Sequence, residues 1–243
     1  MNNKQVFLLI TVVLTACKDI NGNDDNYFLE FNPRKCKHIE VFSKQSVGTL
    51  YNNVIYYDYH DMEVNSSVKN NDYILVLYTG TIELTDPIPS LENEIELSYK
   101  KRSGNMKSKS VINNETGECE ALIEISYRVD GVRNLSISSL DAPLFGKPTG
   151  TSLNQYFDIF KYDPDFIASY ESKALLYGYT DKDKPTAIDE WLSLNPMAQP
   201  SMFLRLNATP ENLPVTLRFI VDMETTDGIV ISDTTKAFTL TKD

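Results

Sequence analysis

The chain has only two histidines, His38 and His60, so histidine-dependent chemistry has few side chains to draw on. Asp58 and His60 have the spacing that best suits metal binding. They lie two residues apart on a predicted strand, which places both side chains on one face. A third ligand would have to come from another strand. The alternative, which we favour, is that both residues lie on the solvated face of an antiparallel sheet. We therefore predict no metal site and no cofactor.

Sequence motifs of common catalytic sites are absent. The chain has no G-x-S-x-G, no glycine-rich phosphate loop, no H-E-x-x-H and no C-x-x-C. Carboxylates are plentiful, and two of them about 5–9 Å apart are sufficient for glycoside hydrolysis. The sequence does not place any pair at that distance. We therefore predict no catalytic residue and a protein that is not an enzyme, with a carboxylate-dependent glycoside hydrolase as the less favoured alternative.

The first 17 residues carry the most specific chemical signal. Lys4 precedes an uncharged apolar run over residues 6–14, and Thr15-Ala16-Cys17 follows it. The run is too short to cross a bilayer, which takes about 20 residues, but it suits a secretion signal. This order resembles the lipobox of bacterial lipoproteins. The resemblance implies cleavage before Cys17 and attachment of diacylglycerol and a further acyl chain such as palmitate. The protein is then held in the bacterial outer membrane through these acyl chains.

Residues 18–26 are polar, acidic and rich in turn formers, which predicts a flexible tether between the lipid and the fold. Acidic residues after the lipidated cysteine are also similar to the export signal of surface lipoproteins of the Bacteroidetes. The folded part is predicted to cover residues 27–243.

Charge and cysteine content limit the partners and suggest a crosslink. The chain carries 34 Asp and Glu against 23 Lys and Arg, a net charge of −11. This balance argues against nucleic acid as a partner and gives no attraction to anionic lipid, so the membrane attachment is predicted to rest on acyl chains. Once Cys17 is lipidated, Cys36 and Cys119 remain. In an exported protein they predict a disulfide, with two separate buried thiols as the alternative.

Alternating hydrophobicity predicts a mainly β fold. Residues 54–64 and 73–78 are rich in β-branched and aromatic side chains, as strands are. Residues 121–129 alternate between apolar and polar side chains, which is typical of a half-buried strand. The Asp-Gly pair at residues 130–131 predicts a tight turn, with residues 132–138 returning as the hairpin partner.

The C-terminal part repeats this pattern. Residues 217–224 alternate, Asp-Gly at residues 227–228 turns the chain, and residues 229–240 return. The alternation changes parity in the returning segment, so we expect a bulge or break near Asp233.

Two short helices are predicted late in the chain, one between residues 151 and 163 and one between residues 185 and 195. Strands in hairpins with two short helical insertions predict an antiparallel, immunoglobulin-like β-sandwich. The polar residues 100–114 are predicted to be a loop between strands, and they are the expected seam if the domain has two lobes.

Tyrosines provide the predicted binding residues. Tyr57 and Tyr59 lie at alternate positions, as do Tyr177 and Tyr179. Each pair shares a face of an extended segment and can form a flat platform for a sugar ring or for a partner's side chain. The alternative, which we favour for the tyrosines as a group, is that their rings fill the core of the sandwich.

Residues 144–157 combine a proline, glycines, small hydroxyl residues and a Leu-Asn-x-x-Phe sequence. This segment resembles uncharacterised lipoproteins of the Bacteroidetes, in which it precedes paired C-terminal strands, as residues 213–240 are predicted to be here. The resemblance implies a location and a fold and leaves the activity undefined.

These observations together predict a lipid-anchored envelope protein that acts as a non-catalytic binding module for a glycan or an envelope protein. A fimbrillin-like structural subunit, processed by proteolysis at Arg34, is the alternative.

Overall fold

The structure, a computed structural model, describes residues 27–51, 54–102, 110–112, 119–163 and 185–243. Strands dominate these ranges, as the alternating hydrophobicity predicts. In chain order the elements are β1 (Tyr27–Arg34), β2 (His38–Tyr51), β3 (Val54–Asp61), β4 (Ser67–Lys69), β5 (Tyr73–Gly80), α1 (Pro89–Arg102), β6 (Ser110–Ile112), β7 (Cys119–Arg128), β8 (Val132–Ser139), β9 (Phe157–Asp163), β10 (Thr186–Ala187), α2 (Ile188–Ser193), β11 (Ser201–Leu206), β12 (Val215–Leu217), β13 (Phe219–Thr225), β14 (Val230–Thr234) and β15 (Phe238–Thr241).

Hydrogen bonds arrange the described strands in four sheets. The largest has six strands in the order β10-β9-β11-β5-β2-β3, and every pair in it is antiparallel. Two three-stranded sheets, β14-β13-β8 and β12-β15-β4, share one hydrophobic core with it. The fourth sheet, β1-β7-β6, contains a parallel pair, β1 with β7.

The main core lies between the six-stranded sheet and the two three-stranded sheets that face it. Leu75 of β5, Leu135 and Ile137 of β8, and Phe219 of β13 are fully buried in it. Burial of each such side chain contributes about 1.5–3 kcal/mol. Since apolar side chains from two layers of strands fill a common interior, the structure confirms the predicted antiparallel β-sandwich.

The predicted C-terminal hairpin is confirmed. β13 pairs with β14 from Ile220–Thr234 to Glu224–Val230, and Gly228 adopts a φ of +81° in the turn between them. The break expected near Asp233 is also present, because β14 ends at Thr234 and β15 joins a different sheet.

The hairpin predicted around residues 130–131 is wrong. Both strands exist, but β7 pairs with β1 and β6, whereas β8 pairs with β13. The Asp130 carboxylate instead accepts a hydrogen bond of 2.5 Å from the Cys36 amide. Local turn chemistry favoured a hairpin, but strands from distant parts of the chain bury these residues better.

The first predicted helix is also wrong. Residues 154–156 form a single 3-10 turn, and β9 follows directly. Phe157 and Ile159 point into the core at the period of a strand, while β9 pairs with β10 and β11. The second predicted helix is confirmed as α2, in which Ile188 and Trp191 are fully buried.

The sequence analysis missed α1. Its buried apolar side chains, Leu91 and Ile95, form too short an amphipathic pattern among charged residues to stand out. Residues 100–114 are therefore not a loop throughout, since residues 100–102 close α1 and residues 110–112 form β6. The Tyr127 hydroxyl joins α1 to β7: it donates to the Glu92 carboxylate (2.7 Å) and accepts from the Ile88 amide (2.9 Å).

The disulfide predicted between Cys36 and Cys119 is not formed in this structure, where Cys36 is a buried, free thiol. Cys119 opens β7, whereas Cys36 lies beyond the other end of that strand, next to Asp130. At about 3.3 Å per residue, β7 separates the two cysteines by roughly 30 Å. A disulfide requires Cα atoms within about 7 Å, so the alternative of separate thiols fits the fold.

Candidate functional site

A two-stranded arm extends from one edge of the six-stranded sheet. β2 pairs with β5 only from His38 to Gln45, but it continues to Tyr51. From Lys44 onward β2 pairs with β3, and β3 is the last strand of the sheet order. We call residues 46–51 and 54–58 the arm. It places side chains beyond the body of the sheet.

The six-stranded sheet is curved. Three strands lie between β3 and β9 in the sheet order, so a flat sheet would separate them by about 19 Å. Nevertheless, Tyr59 of β3 and Phe160 of β9 meet with ring centroids 6.2 Å apart. The face that points away from the main core, which we call the outer face, is therefore concave.

Aromatic rings fill this concave outer face. They cover Val76, which is fully buried, and Ile74, which is nearly so. The ring centroids of neighbouring members lie between 5.4 Å and 6.4 Å apart, in edge-to-face or tilted geometry that aromatic pairs prefer. The outer aromatic cluster consists of Phe42, Tyr59, Tyr78, Phe160 and Phe203.

Tyr57 continues the cluster onto the arm. It lies two residues before Tyr59 on β3, on the same face, and is 59% exposed. Its cross-strand partner is Gly48, which has no side chain to cover the ring. Leu50, two residues further along β2, shares this face and is 68% exposed. Tyr59, Tyr57 and Leu50 therefore form an apolar stripe from the outer cluster toward the tip of the arm.

Charged groups border the outer face. Lys44 and Asp61 are cross-strand partners and form an ion pair of 2.8 Å. The Arg205 guanidinium lies 5.7 Å from the centre of the Phe160 ring. Burial raises the pKa of the Tyr59 phenol, and Tyr57 raises it further, while Arg205 partly offsets the shift. An apolar centre with a charged border is the composition of a typical protein interface.

Tyr57 and Tyr59 share a face, as the sequence predicts, but their environments differ. Tyr59 is half-buried among Phe160 and Phe203, whereas Tyr57 is exposed. Tyr177 and Tyr179, and also Cys17, lie outside the described residues. The binding role of these four tyrosines and the lipidation of Cys17 remain predictions.

Asp58 and His60 lie on the opposite face of β3 from Tyr57 and Tyr59, and both are exposed. In the ranges that the structure describes, no three His, Cys, Asp or Glu side chains lie close enough to hold a metal ion. The same ranges contain no helix that is long and apolar enough to span a membrane.

The sequence analysis missed most of the outer cluster. The sequence predicts a helix around Phe160, and neither Phe42 nor Phe203 stands out in its own segment. A usable signal was present in β5, where apolar residues follow one another without alternation from Tyr73 to Tyr78. A strand of that kind buries both faces, which predicts a second apolar layer on the outer face.

Comparison with known proteins assigns neither a family nor a function to the chain. No protein-family model matches the chain, and no curated protein matches it. Among solved structures, the chain aligns with BcpA, the major pilin subunit of Bacillus cereus, and with a variant of that subunit. Each alignment covers 88% of this chain and 68% of the pilin chain, at 8% and 7% identity and a TM-score of 0.17. A likeness this weak carries no argument about fold or function.

Proposed function

We propose that the protein is a lipid-anchored, non-catalytic binding module of the bacterial outer membrane, and that it binds a glycan or an envelope protein through the arm. The observation that carries the proposal is the exposure of Tyr57 and Leu50 on one face of the arm, next to the outer aromatic cluster. Exposed apolar side chains that lie together commonly mark interaction sites. An aromatic ring supplies a large contact area at a low cost in conformational entropy.

The arm is also well placed to meet a partner. Its opposite face carries Tyr51 and Val47, which are 65% and 39% exposed, so both faces of the arm have exposed apolar side chains. Among the described strands β3 lies at the edge of its sheet, so its backbone can pair with a strand of a partner. An acidic chain gains solubility from its charge, which offsets the exposure of this apolar surface.

A glycan ligand is tested by affinity electrophoresis of the full-length protein in non-ionic detergent through gels that contain single polysaccharides. We expect at least one polysaccharide to retard the protein, and Tyr57→Ala and Leu50→Ala to abolish the retardation. Val230→Ala is the matched control, because Val230 is 63% exposed but belongs to a different sheet. Equal retardation of all three variants would place the glycan site elsewhere.

A protein ligand is tested in intact cells with a photo-crosslinking amino acid at position 57, and at position 230 as the control. We expect one discrete adduct from position 57, lost when Leu50 is also replaced by Ala. If neither the gels nor the crosslinks depend on Tyr57 and Leu50, the arm is not a binding surface and the proposal fails.

The lipid anchor is tested by Cys17→Ala. Acylation is the only strong attachment that the sequence predicts, and a chain of net charge −11 gains nothing from anionic lipid. We expect the variant to move from the membrane fraction to the soluble fraction. Retention of the variant in membranes after a high-salt wash would count against lipid anchoring.

The fimbrillin-like alternative requires proteolytic cleavage at Arg34. This residue ends β1, and its guanidinium donates to the Thr81 carbonyl oxygen at 3.2 Å and also to that of Ile82. Cleavage after Arg34 would remove β1 from its parallel pairing with β7. Mass spectrometry that finds intact, acylated N-termini on the native protein would exclude this alternative, whereas a mature chain beginning at Lys35 would support it.

A further inference from the structure

The segment between β1 and β2 concentrates positive charge in an acidic protein. Arg34, Lys35 and Lys37 occur within four positions and His38 follows, in a chain of net charge −11. The segment leaves the β1-β7-β6 sheet at Arg34 and enters the six-stranded sheet at His38. Lys37 forms an exposed ion pair of 2.9 Å with Glu83.

A cavity of about 340 Å³ opens where these two sheets meet. This volume lies at the lower end of the range for small-ligand sites, about 300–1,000 Å³. Its cationic lining comes from Arg34 and Arg128, and its other lining includes His38, the Glu40 carboxylate and the Tyr78 ring. Arg34 and Arg128 are register partners in the parallel β1–β7 ladder, so their side chains leave neighbouring strands on the same face of the sheet.

Both guanidinium groups are held on the end of β5. Arg128 is only 8% exposed, and its Nε donates to the carbonyl oxygen of Thr79 at 3.0 Å and to its hydroxyl at 3.1 Å. Its Nη1 also donates to the Ser126 hydroxyl at 3.0 Å. Arg34 donates to two carbonyl oxygens just beyond the end of β5, those of Thr81 and Ile82. Arg128 donates from all three of its nitrogens to protein atoms and so supplies positive charge to the cavity, whereas Arg34, which is held through Nη1, can bond an anion with little loss of conformational entropy.

Gly80 makes this arrangement possible. It has a φ of +132°, and a Cβ atom at this position would lie 2.6 Å from Nη2 of Arg128. Any other residue would therefore push the buried guanidinium out of place.

We propose that this cavity binds the oxyanion group, a carboxylate or a phosphate, of a small acidic molecule of about the size of one sugar. Arginine is the residue that best matches both groups, because its planar fork of N–H donors bonds two oxygens at once. The Glu40 carboxylate is placed to accept from a hydroxyl group of the same ligand. The cavity borders His38, at the opposite end of β2 from the tip of the arm, so the inference does not depend on the function proposed for the arm.

The experiment uses the full-length protein in non-ionic detergent and three probes: glucuronate, inorganic phosphate and neutral glucose. Calorimetry is expected to show binding of glucuronate or phosphate and none of glucose. Arg34→Gln is expected to weaken the binding about tenfold or more, because it removes charged hydrogen bonds to the anion. Arg133→Gln is the matched control, since Arg133 pairs with Glu224 at 2.9 Å in a different sheet.

A second measurement needs no variant. Phenylglyoxal modifies arginine side chains, and peptide mapping follows Arg34 and Arg133 separately in the wild-type protein. The bound anion should protect Arg34 and leave Arg133 unprotected.

Protection by glucuronate alone assigns a carboxylate ligand, protection by phosphate alone assigns a phosphate ligand, and either supports the site. The inference is overturned if neither anion binds, if glucose binds equally well, or if the anion leaves Arg34 unprotected. It is also overturned if a folded Arg34→Gln variant binds as tightly as the wild type. If that variant does not fold, the protection measurement decides alone.

Discussion

The ring of Tyr73 stacks on the ring of Phe238, with centroids 4.6 Å apart and an angle of 8° between the planes. Tyr73 belongs to β5 in the six-stranded sheet and Phe238 to β15 in the facing layer, so this pair joins the two halves of the sandwich. The Tyr73 hydroxyl lies 3.1 Å from the Ser43 hydroxyl, and burial raises the pKa of the Tyr73 phenol. Tyr73 is completely buried and hydrogen-bonded, as a phenol in a core should be.

Tyr73→Ala should therefore lower the free energy of unfolding by about 3–5 kcal/mol, the range for large aromatic side chains in a core. Tyr73→Phe keeps the stacked ring but leaves the Ser43 hydroxyl without this partner, and it should cost only about 1 kcal/mol. Equilibrium urea denaturation measures both values. Equal losses for the two variants would mean that the hydroxyl, and not the ring, provides the stability.

Tyr59 and Tyr57 form a second matched test, because they lie two positions apart on one strand. Tyr59→Ala removes a ring that packs on Phe160 and Phe203 and should destabilise the fold by an amount typical of a core substitution, about 2–4 kcal/mol. Tyr57→Ala removes an exposed ring and should change the free energy of unfolding by less than about 0.5 kcal/mol. Thermal or urea unfolding of the two variants gives the comparison. A large loss for Tyr57→Ala would assign that ring to the core and leave the proposed binding surface without its main residue.

Cys36 should behave as an unreactive thiol in the native protein. Burial, with a contribution from Asp130, raises its pKa from 9.0 to about 12, so almost no thiolate forms at neutral pH. Iodoacetamide at pH 8 should alkylate Cys36 at least about tenfold more slowly in the folded protein than in urea. Peptide mapping follows Cys36 separately from Cys119. Recovery of a peptide that joins the two cysteines would show that the fold differs from the one described.

Tyr127 should make the protein sensitive to alkali. Burial raises the pKa of its phenol from 10.0 to about 12. The unfolded chain therefore loses this proton near pH 10, while the folded chain keeps it to about pH 12. The resulting contribution to stability is complete below pH 10 and declines as the pH rises from 10 to 12.

Urea denaturation at pH 9 and pH 11.5 tests this prediction. Tyr127→Phe cannot ionise at this position and should show a smaller alkaline loss of stability than the wild type. Tyr57→Phe, a change on an exposed ring, is the control and should show the full loss. An unchanged alkaline loss in Tyr127→Phe would assign the pH dependence to other groups with raised pKa values, such as Tyr73 and Cys36.

The amino-acid sequence determined the features that depend on neighbouring residues. Alternating hydrophobicity located β7 and β13, since side chains on a strand point to opposite faces at a period of two, and β-branched and aromatic composition located β5. The turn at Gly228 followed from local turn chemistry, and the helix around Trp191 followed from the spacing of its apolar side chains. The charge of the chain and the resemblance at Cys17 likewise need no fold to be recognised.

Only the tertiary structure decided which strands pair. β7 and β8 look like a hairpin in the sequence, but β1 inserts beside β7 and β13 beside β8, because pairing depends on the apolar surface that distant strands bury together. The same long-range choice made Phe157 and Ile159 part of a strand and placed Cys36 and Cys119 at opposite ends of β7. Because the six-stranded sheet is curved, Tyr59 meets Phe160 and is packed, whereas Tyr57, two residues earlier on the same strand, is exposed. The register of β1 on β7 brought Arg34 beside Arg128. Each of these relationships joins residues far apart in the chain, so only the packing of the whole fold decides them.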